Sequence, residues 1–222
     1  MKIAFISDVH GNMPALETCL KAISENGCSQ IFCLGDTFGY FDDGAKCYET
    51  LSSLGAEFIL GNHEAMLLGS FTVEKKLEEV YRLNRERTSL SSEMRINLTK
   101  LLPYKTVTLP TGKKLLLVHG SPWDPLQGYV YPDSDLSLFS NLPYDYIFMG
   151  HTHHPFINSE PNICIVNTGS CGLPRDIGNL ACFAVYDCTL DSVKLIRPAL
   201  DLKAIKAKYP QAHPTVLNCL KR

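Results

Sequence analysis

The sequence predicts a layered α/β fold, and three observations carry that prediction. Short apolar runs recur along the chain and close on clusters of Gly, Asp, Asn or His; segments with helical apolar spacing separate the early ones; and 222 residues at 45% hydrophobic content can bury a sizeable core in one domain. Lys2 to Ser7 is the first run, a strand ending in Asp8-Val9-His10-Gly11-Asn12. Pro14 to Glu25 follows with Leu16, Leu20 and Ile23 at helical spacing. The unit repeats: Gln30 to Leu34 is a strand ending at Gly35-Asp36, Ala45 to Leu54 a helix, and Glu57 to Leu60 a strand ending at Gly61-Asn62-His63-Glu64. Strands alternating with helices imply a largely parallel start to the sheet.

From about Glu74 to Leu102 the residues become charged and helix-favouring, with a polar interruption near Thr88 to Ser92 that predicts two helices. The charged stretch Glu74 to Arg87 reads as a solvated helix face. Strands return at Thr106 to Leu109 and Lys114 to Val118, the latter ending in His119-Gly120. Tyr144 to Met149 ends in Gly150-His151-Thr152-His153, and Ile163 to Val166 ends in Asn167-Thr168-Gly169-Ser170. Phe183 to Tyr186 and Ser192 to Ile196 form a hairpin around Asp187 to Asp191, and the basic tail from about Lys203 is a short helix or a loose end. The organisation expected is one domain over residues 1–222, with a helical excursion at about 70–102.

Composition narrows the function classes. The charged fraction of 20% is ordinary for a soluble enzyme, and no apolar run has the length of a membrane span. The opening apolar stretch is too short for a signal sequence and runs straight into Asp8, so a cytoplasmic location is expected. Nine cysteines, an odd number without a CxxC pair, indicate neither a disulfide framework nor a zinc ribbon. A net charge of −2 provides no global basic field, which argues against nucleic acid or an anionic membrane as partner.

A lone Asp-x-His after a strand is weak evidence, since turns favour such residues for backbone reasons. Joint placement changes this. His10, His63, His119, His151 and His153, five of the seven histidines, directly follow predicted strands, where open α/β sheets place their ligands. Carboxylates and imidazoles bind divalent ions such as Mn, Fe, Zn or Ni, and a carboxylate can bridge two of them.

In order and rough spacing, Asp8-Val9-His10, Gly35-Asp36, Gly61-Asn62-His63-Glu64, Val118-His119-Gly120 and Gly150-His151-Thr152-His153 resemble the five motifs of the calcineurin-like metallophosphoesterase superfamily. The resemblance runs from Asp8 to at least Arg175 and is nearest to the compact bacterial and archaeal phosphodiesterase group. It implies an α/β/β/α sandwich, two mixed sheets flanked by helices. It also implies that Asp8, His10, Asp36 and His153 hold one divalent metal, with Asp36 bridging, while Asn62, His119 and His151 hold a second; manganese is favoured. Two such ions, roughly 3.5–4 Å apart, clamp a phosphate and lower the pKa of a shared water for in-line attack. His63 stands outside both ligand sets as the catalytic residue, placed to protonate the leaving alkoxide or stabilise phosphoryl charge.

The sequence departs from the pattern of the family's protein phosphatases. Where they have Gly-Asp-x-x-Asp-Arg-Gly, this chain has Gly35-Asp36-Thr37-Phe38-Gly39-Tyr40, without the acid that would orient His63 or the arginine that would bind phosphate. The implied substrate is therefore a small-molecule phosphoester, monoester or diester, with nucleotides included. The alternative is a non-catalytic protein-binding scaffold on the same fold, against which the filled ligand positions speak. Asn12 is either a substrate contact or a turn residue. Arg175 either reaches the phosphate or pairs with an acid such as Asp176. Trp123, Tyr129 and Tyr131 either stack a base at the rim or pack a loop. His154 is expected outside the ligand set, and homo-oligomerisation is left open.

Overall fold

The computed structural model describes residues 1–222. The first strand, β1 (Lys2–Ile6), is buried on both faces, as a central strand must be. Its alternation divides the molecule: Ala4 and Ile6 pack towards a helical layer, whereas Ile3 and Phe5 pack towards a second sheet. Asn12 caps α1 (Met13–Glu25) by accepting from the Ala15 amide, Pro14 lies in the first turn, and Ala15, Leu16, Cys19 and Ile23 form the buried stripe. β2 (Gln30–Cys33), α2 (Gly44–Ser53) and β3 (Glu57–Phe58) complete the parallel start, with Ile6 level with Cys33 and Cys33 level with Phe58. β3 stops two residues before its predicted end because Leu60 donates its amide to Leu102 instead of to a strand.

Helices α3 (Asn62–Leu67), α4 (Lys75–Tyr81), α5 (Leu83–Ser89) and α6 (Ser92–Thr99) follow. The predicted break is present, with Ser91 capping α6 through the Met94 amide, but a second break falls at Arg82, whose left-handed φ of 60° separates α4 from α5. This stretch is not a solvated face throughout: Leu83 and Glu86 are buried. The second sheet comprises β4 (Tyr104–Thr108), β5 (Lys114–Val118), β6 (Tyr146–Met149), β7 (Phe156–Glu160) and β8 (Ile163–Asn167). β9 (Phe183–Asp187) and β10 (Ser192–Ile196) return to the first sheet, and the tail forms α7 (Leu202–Lys208) and α8 (Pro214–Cys219).

The strand orders are β10-β9-β1-β2-β3 and β4-β5-β6-β8-β7. In the first sheet β1, β2 and β3 run parallel while β9 and β10 add antiparallel beside β1, and in the second the central pairs are parallel and the outer ones antiparallel, so both sheets are mixed. The sheets meet through Phe5, Phe32, Leu117, Phe148 and Tyr186, with Phe5 and Phe148 stacked at 3.8 Å between ring centroids. Helices α1, α2, α7 and α8 cover the other face of the first sheet. On the other face of the second sheet, Val130, Leu136 and Phe139 from a long segment with one 3-10 turn (Ser137–Asn141) cover Leu116, Ile147 and Met149. The result is the layered α/β sandwich of two mixed sheets with flanking helices that the motifs imply. All nine cysteines are free thiols, and no helix is long and apolar enough to cross a membrane. The parallel strands β1, β2, β5 and β6 end at one edge of the sandwich, which is where the site is built.

Candidate metal centre

Each loop that leaves this edge is tied to its neighbour. Asp8 and His10 donate their amides to the carbonyls of Gly35 and Asp36 at 3.1 and 3.0 Å, joining the loops after β1 and β2. Gly150 donates to His119 at 3.0 Å, joining those after β5 and β6. The segment after β8 crosses between the sheets: Ser170 Oγ and the Gly172 amide both donate to the Asp8 carbonyl, at 2.7 and 2.9 Å. These ties hold a costly backbone. Asp8, His10, Asp36, His151 and His153 all have φ between 53° and 65°, a conformation that side chains with a Cβ rarely adopt and that costs of order 1 kcal/mol each. Strain collected on five predicted site residues points to side chains held for function rather than for packing.

Those side chains converge. His153 Nε2 lies 3.2 Å from both His10 Nε2 and Asp8 Oδ1. His119 Nε2 lies 3.4 Å from Asp36 Oδ2 and 2.9 Å from Asn62 Oδ1, and His151 completes this second group of donor atoms. Asp36 also lies within 4.8 Å reach of a third grouping, with His10 and His63. All are buried: Asp8, His10 and His119 are fully inaccessible.

The donor set fits a divalent cation on chemical grounds. The Nδ1 atoms of His10, His119 and His153 each face a backbone carbonyl, of Phe38, Leu34 and Leu173 respectively, which places the ring proton there and turns the Nε2 lone pair inward. Two such lone pairs, on His10 and His153, then face each other at 3.2 Å, an arrangement that a shared proton or a bound cation relieves. Asp8 Oδ1 and His151 Nε2 are buried without a hydrogen-bond partner, which costs on the order of 1–3 kcal/mol each unless an ion satisfies them.

The electrostatics agree. Burial alone would raise the Asp36 carboxyl, but the facing His119 and His63 rings hold it well below the usual carboxylate range. Burial opposes a charged His119, yet the Asp36 carboxylate pushes that imidazole up to about 10, so the pocket draws positive charge to this position. Burial lowers His151 and His153 to about 4 and leaves both neutral and ligand-ready at neutral pH.

His63 faces the same centre without joining a close donor pair; its Nε2 lies 4.0 Å from Asp36 Oδ2. The missing acid of the second motif has a steric explanation. A Cβ built on Gly39, the position that acid would occupy, would lie 2.3 Å from His63 Nδ1, and Gly39 has φ of 89°. The ring is oriented by aromatic neighbours instead: Tyr40 stacks on it at 5.0 Å and 28°, and Tyr81 packs at 4.8 Å. Tyr40 occupies the place of the motif's arginine, and Arg175 donates to the Tyr40 hydroxyl at 3.0 Å, bringing a guanidinium to the same wall from a distant segment. Tyr40, His63, Tyr81, Tyr129 and Arg175 line the small cavity, about 50 Å³, above Asp36, Asn62, His151 and His153.

A family model described as the calcineurin-like phosphoesterase superfamily domain matches residues 1–191. The chain belongs to that superfamily. It is a metal-dependent phosphoesterase. An uncharacterised protein of Methanocaldococcus jannaschii is 31% identical over 90% of this chain and 88% of its own length. Phosphodiesterase YfcE of Escherichia coli is 27% identical over 87% of this chain and 91% of its own length. A crystal structure described as a metallophosphoesterase from Sphaerobacter thermophilus superimposes with a TM-score of 0.83 at 26% identity, covering 99% of this chain and 98% of that one.

Other candidates of this phosphoesterase resolve differently. Asn12 is fully buried, its Oδ1 caps α1 and its amide donates to the Gly172 carbonyl at 2.7 Å, the contacts of the turn-residue alternative. Arg175 does not pair with Asp176, because Arg197 takes both oxygens of that carboxylate at 2.8 and 3.1 Å. Trp123 packs edge-on against Phe139, holding the long segment, whereas Tyr129 lies against the His151 ring at 4.3 Å with Tyr131 stacked beyond it. His154 turns back onto the Thr152 carbonyl, away from the donor set. Sequence reasoning missed Glu64, whose buried carboxylate accepts the amides of Asp36, Thr37 and Gly61 at 2.8, 2.6 and 3.1 Å and so fixes two site loops. Its placement as third residue of α3 is the acidic half of a capping box, a signal the sequence does contain.

Proposed function

We propose that this protein is a dinuclear-metal phosphoesterase that hydrolyses phosphodiesters or phosphomonoesters of small molecules, nucleotides among them, in the cytoplasm. The observation that carries the reading is Asp36, one carboxylate within reach of two clusters of buried, inward-facing lone pairs. On this reading Asp8, His10, Asp36 and His153 would hold one divalent ion and Asn62, His119 and His151 the other, with Asp36 shared and manganese favoured. When bound, the ions supply charge neutralisation at the phosphoryl oxygens and acidify a water.

The chain's own residues do the rest. Arg175 offers donors to a phosphoryl oxygen at the Tyr40 wall. His63, lowered to about 3 chiefly by burial and by the neighbouring histidines, is neutral at neutral pH, so it contributes one N–H aimed at the leaving or phosphoryl oxygen. Asn167, fully buried, donates to the Gly150 carbonyl at 2.7 Å and fixes the turn that presents His151 and His153. The free cysteines support a reducing compartment.

The test is hydrolysis of bis-p-nitrophenyl phosphate and p-nitrophenyl phosphate by metal-stripped protein with and without Mn²⁺. Turnover restored by metal and absent from Asp36→Asn is expected, with metal content lowered in the variant; a variant that kept both activity and metal would overturn the shared-ligand assignment. His63→Ala should retain metal and lose on the order of 100-fold in turnover, most for poor leaving groups. Equal losses across leaving groups would remove His63 from the departing oxygen.

A further inference from the structure

A second cavity, about 330 Å³, opens behind the metal pocket and shares two of its walls, Tyr40 and Arg175. Its remaining lining is mostly apolar: Val80 of α4, Leu173 after the β8 loop, and Val216 and Cys219 of α8, with the exposed Thr215 and Arg222 at the mouth. That volume is at the lower end for a small-molecule site, about 300 Å³ and upward. We propose that this cavity is the leaving-group subsite and that it selects phosphoesters of an apolar, aryl or short alkyl alcohol. The inference rests on the phosphoesterase reading above and adds its substrate class.

Three observations carry it. First, His63 is the group placed to serve a departing oxygen, and its ring is held by Tyr40 and Tyr81, so the departing side of the site faces the Tyr40 wall. Tyr129, against His151, stands at a different wall and is left for a retained substituent. Second, the Arg175 guanidinium has the Tyr40 hydroxyl as its one hydrogen-bond acceptor in the protein, and the adjacent acid is engaged by Arg197. A guanidinium carries five donors, so most of those on Arg175 are free at the boundary between the two cavities, where the phosphoryl charge of a bound ester would lie. Third, Tyr40 is held at φ of 65°, with its amide donating to the Tyr81 carbonyl at 2.7 Å. The strain is spent on keeping an aromatic face at the junction. Beyond it, Thr215 and Arg222 place their polar groups at the exposed mouth, and the inner wall of Val80, Leu173 and Val216 offers no partners for sugar hydroxyls, whose burial there would leave polar groups unpaired.

The Mn²⁺-loaded protein is titrated calorimetrically with methylphosphonate and with naphthylmethylphosphonate, which share a headgroup and have no P–O–C bond to break. Hydrolysis of phenyl and naphthyl phosphate is measured in parallel. The wild type is expected to bind the naphthylmethyl compound at least about tenfold more tightly, the effect of burying one aromatic group. Thr215→Trp at the mouth and Val80→Trp from the opposite wall should each abolish that preference and the matching preference in kcat/KM. Equal affinities in the wild type, or a preference that survives both substitutions, would overturn the subsite. A preference that both substitutions remove, in a protein that hydrolyses neither ester, would instead overturn the phosphoesterase reading and the leaving-group assignment with it, leaving an apolar anion-binding cavity.

Discussion

At the scale of single residues, the identity of position 39 governs how His63 is presented. Because a Cβ there would lie 2.3 Å from His63 Nδ1 and the backbone is left-handed, Gly39→Ala must displace the ring or the loop. The expected result is a loss of about 100-fold in kcat with metal content unchanged, measured by steady-state kinetics and elemental analysis. Full activity in the alanine variant would show that the position of His63 is not critical. The donor residues were legible in the sequence because Asp, Asn and His recur after strands beside glycines. Tyr40, Tyr81 and Arg175 were not legible as a unit. They come from three separate segments and meet only through tertiary packing, and the absence of the expected acid at position 39 gave no hint that aromatic faces replace it.

At the scale of elements, the long strands and α1 follow from their apolar periodicity, while the pieces that escaped are short or half-exposed. β7 has a mostly exposed Phe-Ile-Asn-Ser-Glu sequence without clear alternation, and α7 and α8 span seven and six residues, too few to display a helical stripe. Their burial is nonetheless specific: Ile205, Tyr209, Val216 and Leu220 join the core beneath α1, and the Tyr209 hydroxyl accepts from the Met13 amide while facing Asp43 at 2.7 Å. Glu86 shows how the charged stretch was misread. Its Oε1 accepts the Gly44 amide at 3.0 Å and ties α5 to the start of α2, and burial, with Asp42 nearby, pushes its carboxyl from the ordinary 4.5 up to about 7. Between those values the folded protein keeps a proton that the unfolded chain has released. Stability contributed by this group therefore falls as pH rises from about 4.5 to about 7 and is level above that. Glu86→Gln retains an acceptor for Gly44 and removes the titration. Urea unfolding at pH 5 and pH 8 should show the variant gaining on the wild type by up to about 3 kcal/mol at the higher pH. Parallel pH profiles for the two proteins would show that Glu86 is ionised in the fold throughout this range.

At the scale of the whole molecule, the layered α/β class was legible, but the strand order was not: nothing in the local pattern of Phe183 to Ile196 says that this hairpin closes the first sheet beside β1. That long-range closure matters because the donor set is divided between the sheets. Asp8, His10, Asp36 and Asn62 follow strands of the first, and His119, His151 and His153 follow strands of the second. The sandwich brings together inward-facing lone pairs and unpartnered buried acceptors at its open edge, and on the proposed assignment cations held there would tie the two sheets together. A ligand that binds only the folded state at a hundredfold excess over its Kd adds about 2.7 kcal/mol. For a chain of 222 residues that corresponds to a rise in Tm of about 5–10 °C per occupied site. Adding Mn²⁺ to metal-stripped protein should raise Tm by at least this amount, and a chelator should reverse it. Asp36→Asn should reduce the rise, because on the proposed assignment this carboxylate serves both ions. A Tm indifferent to metal would separate the donor cluster from ion binding altogether, whereas an undiminished rise in the variant would leave metal binding intact and remove Asp36 from its centre.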